Sequence, residues 1–269
     1  MSNVFSRRDL LAGSLAFAVT GIAPPLRGQT VVEDLVEFRR VVAANRILAN
    51  EGVVDAFGHV SVRDPRNPDR YVMSHSRSPE FVELSDLIEF ESNGNKVDPS
   101  DTRTPYGERM IHGAIYESRP DVHSVVHHHS YAVVPFSVSD ILLRPVSHSG
   151  SVIGAEVPVW ELQTRFGDTD MLVRTMEMGH DLAATLGDAT CLLIRGHGAV
   201  VAAANVKQAV IASFYLQINA QIQMNALQLG EPTYLTDEEV ERSRATQFSP
   251  LALDRAWEYF CRRAGVVPV

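Results

Sequence analysis

Between Thr190 and Ala203 the chain reads Thr-Cys-Leu-Leu-Ile-Arg-Gly-His-Gly-Ala-Val-Val-Ala-Ala, two uncharged apolar runs joined by a turn that sets one histidine between two glycines. A short continuous apolar run bounded by turn residues reads as a buried strand, and the second run as its antiparallel return across Gly196-His197-Gly198. Such a hairpin needs a sizeable core around it. With 269 residues, 45% of them hydrophobic and 21% charged, the chain has enough material for one. The same composition excludes a disordered or collagen-like chain, and two cysteines, Cys191 and Cys261, are too few for a disulfide framework.

The other elements follow from periodicity. Val31 to Asn50 carries Leu35, Phe38, Val41, Val42 and Leu48 at near-helical spacing and stops at Asn50-Glu51-Gly52. Gly58-His-Val-Ser-Val-Arg alternates as a strand into the turn Asp64-Pro65-Arg66-Asn67-Pro68, and Arg70-Tyr-Val-Met returns. A short acidic helix is expected over residues 83–87, then the strand Ile88-Glu-Phe-Glu and a turn at Asn93-Gly94-Asn95. Thr104 as N-cap and Pro105 at the first helical position predict a helix running from there to Pro120. Ser124-Val-Val-His-His-His reads as a strand, Thr169 to Leu186 as a helix, Asn205 to Leu229 as a long helix ending at Gly230, and the stretch from Arg255 to Cys261 as amphipathic helix. Residues 130–167 mix apolar and Gly/Pro-rich stretches without a clear period. No repeat or linker interrupts the run, so one α/β domain over residues 31–269 is the economical reading.

The first 30 residues stand apart. Ser6-Arg7-Arg8-Asp9-Leu10-Leu11 places a twin arginine directly before the uncharged run Leu10 to Ala23, which reads as a twin-arginine export signal and implies a periplasmic destination. That run falls short of the roughly 20 residues a spanning helix needs. Cleavage is expected between Ala23 and Thr30, with an uncleaved anchor as the alternative, and no stable membrane insertion is expected of the mature chain. A formal net charge of −9 gives no general basic field, so nucleic acid is not an expected partner and an anionic substrate must be met by local charge.

Against this background the chain has ten histidines, three of them consecutive. On a strand, residues two apart point the same way, so His127 and His129 project together and His128 faces the opposite side. Such a pair can offer two imidazoles to one metal ion at about 2.0–2.2 Å each. His197, held between two glycines at the end of a buried strand, has the form of a third ligand on a rigid support. Glu108, near the start of the helix expected from Pro105, has an ordinary use in compensating the helix macrodipole.

Taken together, these residues resemble the class II aldolase/adducin family. The match runs through the first helix, Gly58-His-Val-Ser-Val-Arg where the family often has Gly-Asn-x-Ser, Glu108 with the helix into Ser118-Arg119-Pro120-Asp121, Val125-Val126-His127-His128-His129, Phe166-Gly167, and residues 192–198. The resemblance implies a three-layer α/β/α sandwich around a mainly antiparallel sheet, commonly a homotetramer with sites at subunit interfaces. It implies one divalent ion per subunit on His127, His129 and His197, with Glu108 as the acid/base carboxylate that can also ligate it. Zinc or manganese is expected, and iron or cobalt suits the same donors.

The departures bear on substrate. Where sugar-phosphate members have small hydroxyl and amide groups, this chain has His59, the loop Ser74-His75-Ser76-Arg77 and Tyr106-Gly107. A guanidinium suits bidentate binding of a carboxylate, so His59, Ser76 and Arg77 are the candidate substrate contacts. His148 falls at or near the place of the family's aldolase tyrosine, a proton donor that reaches over from a neighbouring subunit, and is by that resemblance a second candidate for proton transfer beside Glu108. The pattern is similar to the decarboxylase branch. The expected activity is therefore a metal-dependent carbon–carbon lyase that decarboxylates a small hydroxylated aromatic or heteroaromatic carboxylate through a stabilised enolate. A class II aldolase or epimerase for a sugar or hydroxy-keto acid is the alternative, with a noncatalytic adducin-like module behind it.

Overall fold

The computed structural model describes residues 35–269. The expected signal segment lies outside the described residues, and the first helix is seen as α1 (Val36–Asn50). In chain order follow β1 (His59–Arg63), β2 (Arg70–Ser74), β3 (Leu87–Glu91), α2 (Arg109–Ser118), β4 (Ser124–His128), α3 (Val134–Ser137), β5 (Val159–Trp160), α4 (Leu162–Phe166), α5 (Met176–Leu186), β6 (Cys191–Ile194), β7 (Gly198–Ala203), α6 (Val206–Leu229), α7 (Asp237–Gln247) and α8 (Pro250–Arg263). The strands form one seven-stranded sheet in the order β3-β2-β1-β4-β7-β6-β5. Every neighbouring pair is antiparallel except β5 with β6.

The apolar hairpin is continuous because both of its faces are covered. Cys191, Leu193, Ala199, Val201 and Ala203 point into the core that includes α1, α6 and α8. Leu192, Ile194, Val200 and Ala202 point into the opposite core with α2 and α5. Strand alternation thus feeds two cores, and the expected three-layer α/β/α architecture is what results. Val126 and Val201 are fully buried on one face, Val125 and Val200 on the other. Each such side chain contributes about 2 kcal/mol on leaving water.

Two helices start later than their sequences indicate. Thr104 and Pro105 do not open α2: the Ser76 N–H donates to the Thr104 carbonyl at 2.8 Å and Pro105 bridges His75, so this stretch is tied to the loop after β2. The helix begins at Arg109 with Glu108 as its N-cap residue. Likewise residues 169–175 are not helical. Thr169 Oγ1 and Asp170 Oδ1 accept the N–H groups of Met171 and Leu172, side-chain turns that compete with helix, and Thr175 caps α5 instead. The expected acidic helix over 83–87 is a single 3-10 turn, Leu84–Asp86. The unreadable stretch 130–167 holds only short pieces: α3, a 3-10 segment Ser149–Ile153, β5 and α4. Helix α7 was not anticipated, although Thr236 and Glu239 form a capping box at its start. Both cysteines are free and buried. Among the described residues no helix is long and apolar enough to cross a membrane.

Candidate metal centre

Strand β4 delivers the first imidazole and the residue just past its end the second. His127 and His129 bring their Nε2 atoms to 3.0 Å, while His128 turns to the other face of the sheet, as alternation requires. The β6–β7 turn supplies the third, with the His197 Nε2 2.9 Å from that of His129. This approach depends on two glycines. Gly196 takes φ +64°, and a Cβ on Gly198 would lie 2.2 Å from the His128 carbonyl oxygen, so only glycine lets the turn rest on β4. Glu108, at the N-terminal end of α2, places Oε2 3.5 Å from His127 Nε2 and 3.6 Å from His197 Nε2. The four ligand atoms all fall within 4.8 Å of one another.

The surrounding hydrogen bonds decide what these atoms offer. His127 Nδ1 donates to the Ala199 carbonyl at 3.0 Å and His197 Nδ1 to the Met171 carbonyl at 2.9 Å. A carbonyl only accepts, so both rings carry their proton on Nδ1 and turn a bare Nε2 lone pair inward. Burial first, then the neighbouring His127 and His197 rings, holds the His129 pKa down to about 4, and burial also lowers that of His197. For Glu108, burial pushes the pKa up, but positive charge at His127 and His197, together with the Val173 N–H, outweighs it and holds the carboxyl at about 2, an effect that a cation held by neutral rings would reproduce. Glu108 Oε1 accepts that Val173 N–H at 3.0 Å, leaving Oε2 for the site. The centre is therefore a set of imidazole lone pairs and one ionised carboxylate, mutually repulsive and largely out of water. A divalent cation resolves that conflict: neighbouring ligands on a shell of about 2.0–2.2 Å radius sit roughly 3.0–3.5 Å apart, and four of the six separations here, 2.9, 3.0, 3.5 and 3.6 Å, lie in or close to that range. The donor set fits a divalent metal.

The loop that supports two of these ligands runs from Thr169 to Val173. Met171 is the one described non-glycine residue with positive φ, at +64°, and that conformation aims its carbonyl at His197 while the Val173 N–H meets Glu108. The sequence marks this loop only by Gly167 and the Thr/Asp turn residues.

The proposed substrate contacts fall beside the centre to different degrees. His59 faces His127 across the β1–β4 register, with ring centroids 5.1 Å apart, and is 3% exposed. Tyr106 packs on His59 at 4.6 Å and donates its hydroxyl proton to the Arg77 carbonyl, which fastens the 74–77 loop to the site. The Arg77 side chain, however, pairs with Asp86 at 2.6 Å, and His75 bonds the same carboxylate at 3.2 Å, so one edge of that guanidinium is engaged. Ser76 is exposed and held through its backbone. His148 is not among the grouped ligands: it is exposed, and Gln247 of α7 bonds its Nδ1 at 2.8 Å. His112 is more engaged than a residue merely packed one turn past Glu108, since both its nitrogens bond within the buried face, to His59 and Ser61.

Residues 39–224 match the family described as Class II Aldolase and Adducin N-terminal domain. A decarboxylase, tropJ, of Talaromyces stipitatus is 33% identical over 205 residues, a stretch covering 71% of this chain and 77% of that protein. A 3,4-dihydroxyphthalate decarboxylase of Arthrobacter keyseri is 27% identical over 204 residues, covering 71% of this chain and 78% of that one. Among solved structures, an L-fuculose 1-phosphate aldolase of Glaciozyma antarctica superposes with a TM-score of 0.69 at 24% identity, covering 85% of this chain and 88% of that one, a likeness of fold.

Proposed function

We propose that this chain, a carbon–carbon lyase that belongs to the class II aldolase and adducin family, decarboxylates a small hydroxylated aromatic or heteroaromatic carboxylate. The observation that carries the reading is the centre itself: three lone-pair imidazoles and an ionised Glu108 beside a buried histidine and a tyrosine ring, in a chain whose 33% identical relative is a decarboxylase. His127, His129, His197 and Glu108 would hold a divalent ion, zinc or manganese by donor type, with iron and cobalt sharing the preference. Bound there, it supplies Lewis-acid stabilisation of the negative charge that carbon–carbon cleavage leaves on the substrate.

The chain's own groups do the rest. His59, with Ser76 and Arg77 at the mouth, orients a substrate carboxylate, and the Tyr106 ring gives a flat apolar surface against which an aromatic acid can lie. Glu108 is ionised at neutral pH, so it accepts the substrate hydroxyl proton. Glu108 returns that proton to the ring carbon that bears the carboxylate, giving the keto form; carbon dioxide then leaves, the electron pair of the broken bond passes through the ring to the oxygen as an enolate, and solvent protonates the product oxygen. In this reading Glu108 carries the proton, with His148, reaching over from a neighbouring subunit, as the second candidate.

A panel of hydroxylated benzene and pyridine dicarboxylates, hydroxy-keto acids and sugar phosphates tests it. Carbon dioxide release from the aromatic acids is expected, and aldehyde release from sugar phosphates without carbon dioxide would overturn it in favour of an aldolase. We extend the reading to a homotetramer and to export through Arg7-Arg8. Sedimentation of the purified chain tests the first, and a reporter fused to residues 1–30 that stays cytoplasmic would refute the second.

A further inference from the structure

Behind the centre, four buried groups form a single file. His59 Nδ1 lies 2.7 Å from His112 Nε2, His112 Nδ1 lies 2.6 Å from Ser61 Oγ, and Ser61 Oγ lies 2.7 Å from the Tyr116 hydroxyl. Their exposures are 3% for His59, 0% for His112 and Ser61, and 4% for Tyr116. Ser61 is on the same strand as His59, two residues on and so on the same face, while His112 and Tyr116 are one helical turn apart on α2.

The file has a direction, and the direction can be worked out. Among the described residues the Tyr116 hydroxyl has one side-chain hydrogen-bond partner, Ser61 Oγ, so the phenol proton goes to that oxygen. Reversing the file would leave a buried phenol O–H without an acceptor, at a cost of about 1–3 kcal/mol. Ser61 has a single proton of its own, and its remaining neighbour is His112 Nδ1, which therefore accepts. A neutral imidazole that accepts on Nδ1 donates from Nε2, so His112 Nε2–H donates to His59 Nδ1. His59 in turn must carry its proton on Nε2.

We propose that the file Tyr116 to Ser61 to His112 to His59 fixes His59 as an N–H donor at Nε2, making it a hydrogen-bond donor to an anionic substrate oxygen and barring it from the metal. This accounts for an imidazole 5.1 Å from His127 that is not one of the four grouped ligands. His127 and His197 are held by carbonyls in the opposite tautomer, with Nε2 bare. One site thus contains ligand histidines and a donor histidine, sorted by what sits behind each ring. His112, Ser61 and Tyr116 are positioning residues. The substrate half of the proposal rests on the decarboxylase reading above, but the tautomer does not.

Neutron diffraction from deuterium-exchanged crystals of the zinc-loaded full chain tests the tautomer directly. Deuterons are expected on His59 Nε2 and His112 Nε2, with both Nδ1 atoms bare; a deuteron on His59 Nδ1, or zinc bound to His59, overturns the proposal. The second measurement is kinetic, on whichever carboxylate proves to be a substrate. His59→Gln, whose amide can place an N–H near the same point, should hold KM within about threefold, whereas His59→Met should raise KM at least tenfold, with zinc content unchanged in both. Equal KM values for the two variants would overturn the donor role. If no carboxylate is turned over, the decarboxylase reading fails while the neutron result still decides the tautomer.

Discussion

His128 offers a clean test of how burial governs this protein's acid sensitivity. It is fully buried on the α6 side of β4, with Nδ1 accepting the Ser130 N–H at 3.3 Å and Nε2 having no hydrogen-bond partner among the described residues. Burial, aided by the adjacent His127 and His129 rings, lowers its pKa from 6.5 to about 3. The folded chain therefore keeps His128 neutral at pH values where the unfolded chain protonates it. Its contribution is complete above pH 6.5 and is lost as the pH falls toward 3, with a slope of about 1.36 kcal/mol per pH unit for one proton. Between pH 6.5 and 4.5 the loss is roughly 2.3 kcal/mol, because the unfolded group is already half protonated at pH 6.5. His128→Leu removes that proton uptake and fills a similar volume with an apolar side chain. Urea unfolding of wild type and variant, at equal protein and zinc concentrations and at four pH values from 7.5 to 4.5, isolates the difference because the metal contribution cancels. Wild type should lose about 2.3 kcal/mol more than the variant between pH 6.5 and 4.5. Parallel stability curves at equal zinc content would refute the reasoning.

Substitutions at three positions probe other links. A Cβ at Gly113 would lie 1.9 Å from the Ser92 backbone oxygen, so Gly113→Ala should cost at least about 3 kcal/mol and lower the melting temperature by several degrees in calorimetry. Met171→Val forces a β-branched residue to φ +64° and displaces the carbonyl behind His197; roughly 10–100-fold weaker zinc binding in a chelator competition is expected, while Met171→Gly keeps wild-type affinity. Glu108→Gln should retain the fold by circular dichroism and lose roughly 10²–10⁴-fold in turnover, and unchanged turnover would remove its role as proton carrier.

Six of the seven strands were legible because they are short apolar or alternating runs punctuated by Gly, Pro and Asn, and each face of β6 and β7 meets a helix layer, whereas β5, two residues long, has no period to read. The helix starts at Thr104 and Thr169 misled for one reason. Thr, Asp and Pro are good cap residues and equally good turn residues, and the choice was made by through-space partners, Ser76 and His75 in one case and the side-chain turns around Met171 in the other. Helix α7 buries only Val240 among its 11 residues, so it lacks the apolar stripe that period-reading detects.

In the site, His127, His129 and His197 could be read from alternation and a glycine-flanked turn, because those features fix direction locally. The roles of Met171, Val173 and Tyr106 could not, since each acts through a backbone group or a ring whose partner is remote in sequence. His128 ties the two halves of the problem together. The same alternation that sends His127 and His129 toward Glu108 sends His128 into the opposite core, where one of its nitrogens is satisfied and the other is not. On the α2 side every ring nitrogen of His112 has a polar partner, so that imidazole can carry directional information to His59. On the α6 side an orphaned N–H carries none and costs about 1–3 kcal/mol. At neutral pH His128→Leu should accordingly leave both zinc content and turnover intact, and a loss of either would mean that the two faces of the sheet are coupled through β4.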